Sequence, residues 1–242
     1  MNSSFFVLEP QPPVTVPTSN GRVFPIRRIF LIGRNYAEHV RELGGDPKAD
    51  PPVFFTKPAD AAIVPDETSP GVPFAPMTED LHFEAELVLA LKEGGTDLPV
   101  EGADALIWGM GLGCDLTRRD LQHAAKAAGT PWDMAKGFDH SAVLAPLVEG
   151  AVLDPATELT LTRNGEICQR SALENMIWSP AEIISELSKF VQLQPGDLIF
   201  TGTPEGVGPL AIGDEVEITA GALPPLRFVM TKGSAAENET KA

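Results

Sequence analysis

The sequence predicts an α+β fold dominated by β-strands, built as one unit and not as a series of βαβ repeats. Three observations lead there. Short apolar runs closed by Gly or Asp outnumber the stretches with a helical period. Asn164-Gly165 sits between two strand-like runs, a strong short-range hairpin signal. The 22 Gly and 23 Pro among 242 residues break the chain into turns throughout.

Element by element, residues 1–27 carry Pro10, Pro12, Pro13 and Pro17 without a helical period and read as an extended lead-in lying along the sheet. Residues 28–33 form an apolar strand stopped by Gly33. Residues 36–43 make a helix of one or two turns, ended by Gly44 and Gly45. Residues 82–91 alternate and then turn wholly apolar, as a single strand entering a core would. A helix is expected over 117–128, closed by Gly129 and Pro131. Residues 159–163 and 166–169 flank the Asn-Gly turn. Ser179-Pro180-Ala181-Glu182 opens another helix, with Ser179 as N-cap, Pro180 at the first helical position, and Ile183, Ile184, Leu187 and Val191 on its buried face. Strands at 197–201 and 214–219 are each entered through Gly-Asp. Residues 231–242 are small and polar, a flexible tail. One catalytic domain at 28–230 remains between lead-in and tail.

Composition removes several functions. With 34 acidic against 18 basic residues the net charge is −16, which repels phosphate backbones and argues against nucleic-acid binding. No apolar run is long enough to span a bilayer, and no basic segment followed by an apolar one marks a secretory signal. A soluble, cytoplasmic protein is expected. Cys114 and Cys168 offer neither a disulfide framework nor a zinc set, and His39, His82, His123 and His140 lack helical zinc spacing. Gly109-Met110-Gly111-Leu112-Gly113 falls short of a dinucleotide fingerprint, because Cys114 or Leu116 stands where a further glycine is needed. There is no phosphate-binding Gly-Lys-Ser/Thr loop and no Gly-x-Ser-x-Gly elbow.

What survives is a set of carboxylates. On a strand, His82, Glu84 and Glu86 share one face while Phe83, Ala85 and Leu87 share the other. Glu84 and Glu86 then sit ~6.6 Å apart along the strand, suited to gripping one divalent cation. A solvated edge strand would carry the same pattern. Asp115, which follows a glycine-rich apolar run, is either a helix N-cap or a third ligand, completing an all-oxygen set that favours Mg²⁺ or Mn²⁺ over zinc. Arg119 and Gln122, three apart on a helix, either face solvent or reach an anion held there. His39 and Glu42 are also three apart, so the carboxylate can orient the imidazole; a surface pair has the same spacing. The three-glycine turn over 201–208 is either a simple turn or a display of hydroxyl and N–H groups toward a carboxylate.

Taken together, Gly33-Arg34-Asn35-Tyr36, Lys57-Pro58, His82-Phe83-Glu84-Ala85-Glu86-Leu87, the segment 115–122, Lys136-Gly137-Phe138-Asp139 and the segment 201–208 resemble, in order and spacing, the fumarylacetoacetate hydrolase family. The resemblance implies a mixed β-sandwich roll, a homodimer, and a Mg²⁺ or Mn²⁺ ion holding a small 2-oxo acid. It assigns Glu84, Glu86 and Asp115 as metal ligands. Arg34, Arg119, Gln122 and Thr203 become substrate contacts and Lys136 a catalytic group beside the developing enolate. His39 and Glu42 become the water-activating dyad on a lid that orders over bound ligand. Phe83 stands where many relatives carry Tyr, on the side away from the carboxylates.

Local likenesses at 24–29, 57–61, 117–122 and Pro131-Trp132 are nearest to family members that hydrolyse fumarylpyruvate in gentisate breakdown. The reaction implied is water attack at C4 of an acylpyruvate and loss of pyruvate enolate. The same site could instead serve an oxaloacetate decarboxylase or tautomerase, or a homoprotocatechuate-route isomerase/decarboxylase. Because the substrate is a dianion and the protein acidic, attraction must be local, and Arg34, Lys57, Arg118, Arg119 and Lys136 all fall in the motif segments. Arg118 reads as a surface or dimer-contact residue.

Overall fold

The computed structural model describes residues 7–37 and 51–233. It is sheet-rich, as expected, with a mixed eight-stranded sheet at its centre. From one edge its order is Val53–Lys57, Arg28–Gly33, Asp197–Phe200, Ala85–Leu91, Ile107–Asp115, Ala142–Leu144 and Ala62–Ile63, with Val148–Glu149 also paired to Ile107–Asp115. The Arg28–Gly33 and Asp197–Phe200 strands run parallel, and Ala85–Leu91 is antiparallel to both of its neighbours.

The two-residue period of the central strands explains the layering. Phe30, Ile32, Leu87, Leu89, Leu91, Leu112 and Ile199 point into one core. Ile29, Leu31, Val88, Ala90, Leu198 and Phe200, their sequence neighbours, point into a second. The first core is closed by a five-stranded sheet through Leu159, Leu161, Val216, Ile218 and Phe228. Ile183, Ile184 and Leu187 of the Pro180–Ser188 helix seal it, and that helix starts on the expected Ser179–Glu182 capping box. The second core is closed by Val16, Phe24 and Ile26 of the lead-in, where Thr15–Pro17 pairs with Val23–Pro25 as a small hairpin.

The Asn164-Gly165 hairpin forms, both residues taking positive φ (54° and 80°), as its turn requires. The Gly109, Gly111 and Gly113 positions are a packing feature. They alternate along one strand, and an added Cβ would meet Val148 O at 2.3 Å, Leu147 Cδ2 at 2.8 Å and the Phe200 ring at 2.4 Å.

Two expected elements differ. Residues 82–91 are two strands, Leu81–Phe83 and Ala85–Leu91, in different sheets with Glu84 between them. The helix expected from 117 begins at Arg119, because Thr117–Arg118 pairs as a strand with Leu81–Phe83; Gly129 closes it at φ 64°. The last strand runs through Thr231. Of the helix expected at 36–43, only Tyr36 and Ala37 fall within the described residues. Among these residues no helix is long and apolar enough to cross a membrane.

Candidate metal centre

The site lies where two neighbouring strands leave one sheet and join another. Ala85 faces Cys114 in the large sheet, and His82 faces Thr117 in a three-stranded one with Gly208–Pro209. The antiparallel register is the same on both sides of this crease, so Glu84 and Asp115 lie opposite each other, joined by a 2.8 Å bond from Asp115 N–H to Glu84 C=O. Glu86, two residues on, shares Glu84's side. One carboxylate oxygen from each of the three can be chosen so that all lie within 4.8 Å of one another, and all three residues are buried.

This excludes the bland alternatives. Ala85–Leu91 is an interior strand, buried along its whole length, and Asp115 ends a strand four residues before the helix starts. It also corrects the place of His82: the crease carries it into the other sheet, where Nε2 lies 2.8 Å from Asp80 Oδ1.

Three buried carboxylates at this separation repel one another and have lost water, so they need cations nearby. Lys136 Nζ donates to Glu84 Oε2 (2.8 Å), Asp115 Oδ2 (2.6 Å) and Thr117 Oγ1 (2.6 Å). Burial pulls its pKa down, but Asp115 and Glu84 outweigh burial and hold it above the usual lysine value. Arg119 Nη2 donates to Glu84 Oε1 at 2.5 Å. Lys57, fully buried, reaches within 2.8 Å of Asp115 Oδ1 and donates to the carbonyls of Leu116 and Lys136. Burial is the main influence on Lys57 and lowers its pKa against the pull of Asp115.

The residues fit a hard divalent cation. Asp115 Oδ1, though near Lys57, accepts no hydrogen bond. Glu86 accepts one from Gly202 N–H at 2.5 Å and forms no ion pair among the described residues. Burial first, then Asp115 and Glu84, push its pKa well above the usual carboxylate value. Converging, under-bonded carboxylate oxygens are the donor set that Mg²⁺ or Mn²⁺ takes.

A cavity opens over Glu84 and Glu86. Arg34, at φ 64°, Lys136, Phe55, Trp132 and Thr203 line it. The Arg119–Ala128 helix adds Arg119, Gln122 and Lys126, which at i, i+3 and i+7 lie on one face. Arg119 Nη1 donates to Gln122 Oε1 at 2.6 Å, fixing both heads. Expected substrate contacts Arg34, Arg119, Gln122 and Thr203 and the expected catalytic Lys136 thus come together around the carboxylates. His39 and Glu42 lie outside the described residues. Arg118, expected as a surface or dimer-contact residue, is not a free surface cation: within the chain it is already largely buried, stacking 4.3 Å over the Phe138 ring and donating to Met134 C=O.

The 201–208 turn delivers a backbone N–H to Glu86 through Gly202, whose φ is 92° and whose Cβ position would lie 2.7 Å from Asn35 Cβ. Two other groups hold the site together. Asn35 Nδ2 donates to the carbonyls of Thr201 and Trp178. Gln169 Nε2 donates to Thr203 Oγ1 and Pro204 C=O, while its Oε1 accepts from Ala85 N–H beside Glu84. Lys57 appears in the sequence only as part of a motif, and Gln169 gives no local signal: its role depends on contacts over more than thirty residues.

The family model described as Fumarylacetoacetate (FAA) hydrolase C-terminal matches residues 28–231. The chain is 39% identical over 173 residues to fumarylpyruvate hydrolase of Ralstonia sp, covering 71% of this chain and 88% of that protein. It is 39% identical over 204 residues to mitochondrial oxaloacetate tautomerase FAHD1 of Mus musculus, covering 84% and 90% respectively. Among solved structures, fumarylpyruvate hydrolase from Pseudomonas aeruginosa, in complex with Mn²⁺ and pyruvate, matches with a TM-score of 0.91 and 40% identity, over 94% of this chain and 99% of that one. With a buried triad of carboxylates at a sheet crease and matches of this extent, the chain belongs to the fumarylacetoacetate hydrolase family.

Proposed function

We propose that the protein hydrolyses the C3–C4 bond of an acylpyruvate, with fumarylpyruvate giving fumarate and pyruvate. The observation that carries this is the convergence of Glu84, Glu86 and Asp115 beside Lys136, Arg119 and Gln122 in one cavity. The likeness to a fumarylpyruvate hydrolase solved with Mn²⁺ and pyruvate supports it.

Glu84, Glu86 and Asp115 would hold Mg²⁺ or Mn²⁺, which when bound supplies positive charge to the 2-oxo-acid end of the substrate. Arg119 and Gln122, already locked to each other, orient the substrate carboxylate, with Arg34 and Thr203 completing the contacts. His39, oriented by Glu42, takes a proton from the water that attacks C4. The C3–C4 bond breaks, its electron pair passes to the enolate of pyruvate, and the acyl group leaves as a carboxylate. The Lys136 ammonium sits where the enolate charge grows, a contribution of ~3–4 kcal/mol for a positioned donor. In this reading the enzyme is a cytoplasmic homodimer.

A second reading, oxaloacetate tautomerisation, is favoured by relatives of that name in Mus musculus and in Escherichia coli (37% identity over 199 residues). It needs the same enolate stabilisation without water attack. Metal-stripped protein should regain cleavage of fumarylpyruvate, seen as loss of its enol-diketone absorbance, on adding Mg²⁺, and leave oxaloacetate nearly unchanged. Slow cleavage with brisk enol–keto exchange of oxaloacetate would move the function to tautomerisation. His39→Ala should cut hydrolysis by ~10²–10⁴ while metal affinity stays the same; an unchanged turnover number removes His39 from the mechanism.

A further inference from the structure

Lys126 lines the cavity on the same helix face as Arg119 and Gln122, yet among the described residues it forms no ion pair and no hydrogen bond. Its contact is aromatic: Nζ lies 5.2 Å from the centroid of the Trp132 ring. Trp132 in turn packs on Phe55 with centroids 5.9 Å apart, and Lys136 Nζ stands 5.0 Å from the Phe55 ring. The wall therefore runs from a cation at the carboxylate triad, across two aromatic rings, to a second cation. Lys126 is half-buried, and burial first, then Arg119, lower its pKa, with Glu84 opposing. By contrast Lys189 has Glu186, and Lys136 has Asp115 and Glu84. Among the described residues this ammonium, facing a cavity lined by other cations, has no anionic partner.

We propose that Lys126, seated on Trp132, determines substrate specificity by receiving a second carboxylate at the far end of a bound 2-oxo acid, so that the site selects dianions over monoanions of equal length. This rests on the reading of the triad end as the 2-oxo-acid end. The rings of Phe55 and Trp132 then lie along the intervening chain, where flat, unsaturated carbons pack well. Lys126 is a binding group and takes no part in bond making.

The test uses two ligands of the same length, 2-oxoadipate and 2-oxohexanoate, which differ only in the terminal carboxylate. Calorimetry on Mn²⁺-loaded protein should show 2-oxoadipate binding about tenfold tighter, the scale of one partly buried ion pair. Lys126→Met should reduce that preference to near parity, and Lys126→Arg should retain it. Equal affinities in the wild type, or a preference that survives in Lys126→Met, would overturn the proposal. The proposed reaction is judged separately by cleavage of fumarylpyruvate. A Lys126-dependent diacid preference without cleavage upholds this inference and sinks the hydrolase reading. Normal cleavage with no such preference, or with neither ligand binding, does the reverse, and absence of both cleavage and ligand binding sinks both.

Discussion

The two ends of the cavity are built in different ways. At the inner end, Glu84, Glu86, Asp115, Lys57 and Lys136 are all buried, and Lys136 alone has three hydrogen-bond acceptors. Glu86 and Asp115 come from interior strands, Glu84 from the crease between two strands, Lys57 from the end of an edge strand and Lys136 from the short Asp133–Lys136 helix. At the outer end, Lys126 and Trp132 are half-buried and come from the end of a helix and the turn after it. The inner end is a rigid, over-determined charge cluster; the outer end is a wall of two rings and a cation. In the proposed reading, preorganised charge serves the shared chemistry of 2-oxo acids, while a simpler wall is easily altered to change what the rest of the substrate is.

That contrast sets the order of expected effects. The largest belongs to Glu86→Ala, which should weaken Mn²⁺ binding at least ~10²-fold by calorimetry, exceeding the loss usual for groups behind a ligand. Stoichiometric binding retained in this variant would mean that the inner end is not the metal end. Next comes Gln169→Leu, which strips partners from Thr203, Pro204 and the Ala85 N–H. A buried group left unpaired costs ~1–3 kcal/mol, so the melting temperature should fall, and kcat should drop more than KM rises. An unaltered melting curve would show that this bridge does not hold the inner end. Trp132→Ala should have the smallest effect, raising KM by ~2–10-fold, the worth of one aromatic contact, and changing kcat less. A kcat loss like that of the inner variants would erase the distinction between the ends.

Much of the inner end could be read from the chain because strand geometry is local. Glu84 and Glu86 share a side in any strand, and the Asn164-Gly165 turn and Ser179–Glu182 cap carry their own chemistry. The errors came where tertiary pairing decided. His82 follows the same alternation as Glu84 but lies beyond a crease that no local pattern marks. Thr117 and Arg118 suit a helix start, yet pair with His82 and Leu81. Lys57 sits on an edge strand of the large sheet and acts across it, on Leu116 and Asp115. Arg118 reads as a surface or dimer-contact cation because sequence does not show the Phe138 ring beneath it. Lys126 was within reach, since it continues the helical spacing of Arg119 and Gln122, but a lone lysine there looks like any solvated one.

The crease has a consequence for how the chain can vary. Both strands cross it in one shared register, so inserting or deleting one residue in 81–91 or 107–118 would turn a carboxylate to the opposite face and simultaneously reverse the inward and outward sides of a packed strand. The connection between them, 92–106, carries no such tie to the triad and can lengthen or shorten freely by comparison. Folding and chemistry thus police the same positions: a chain that mispairs here forfeits its core before it forfeits its active site.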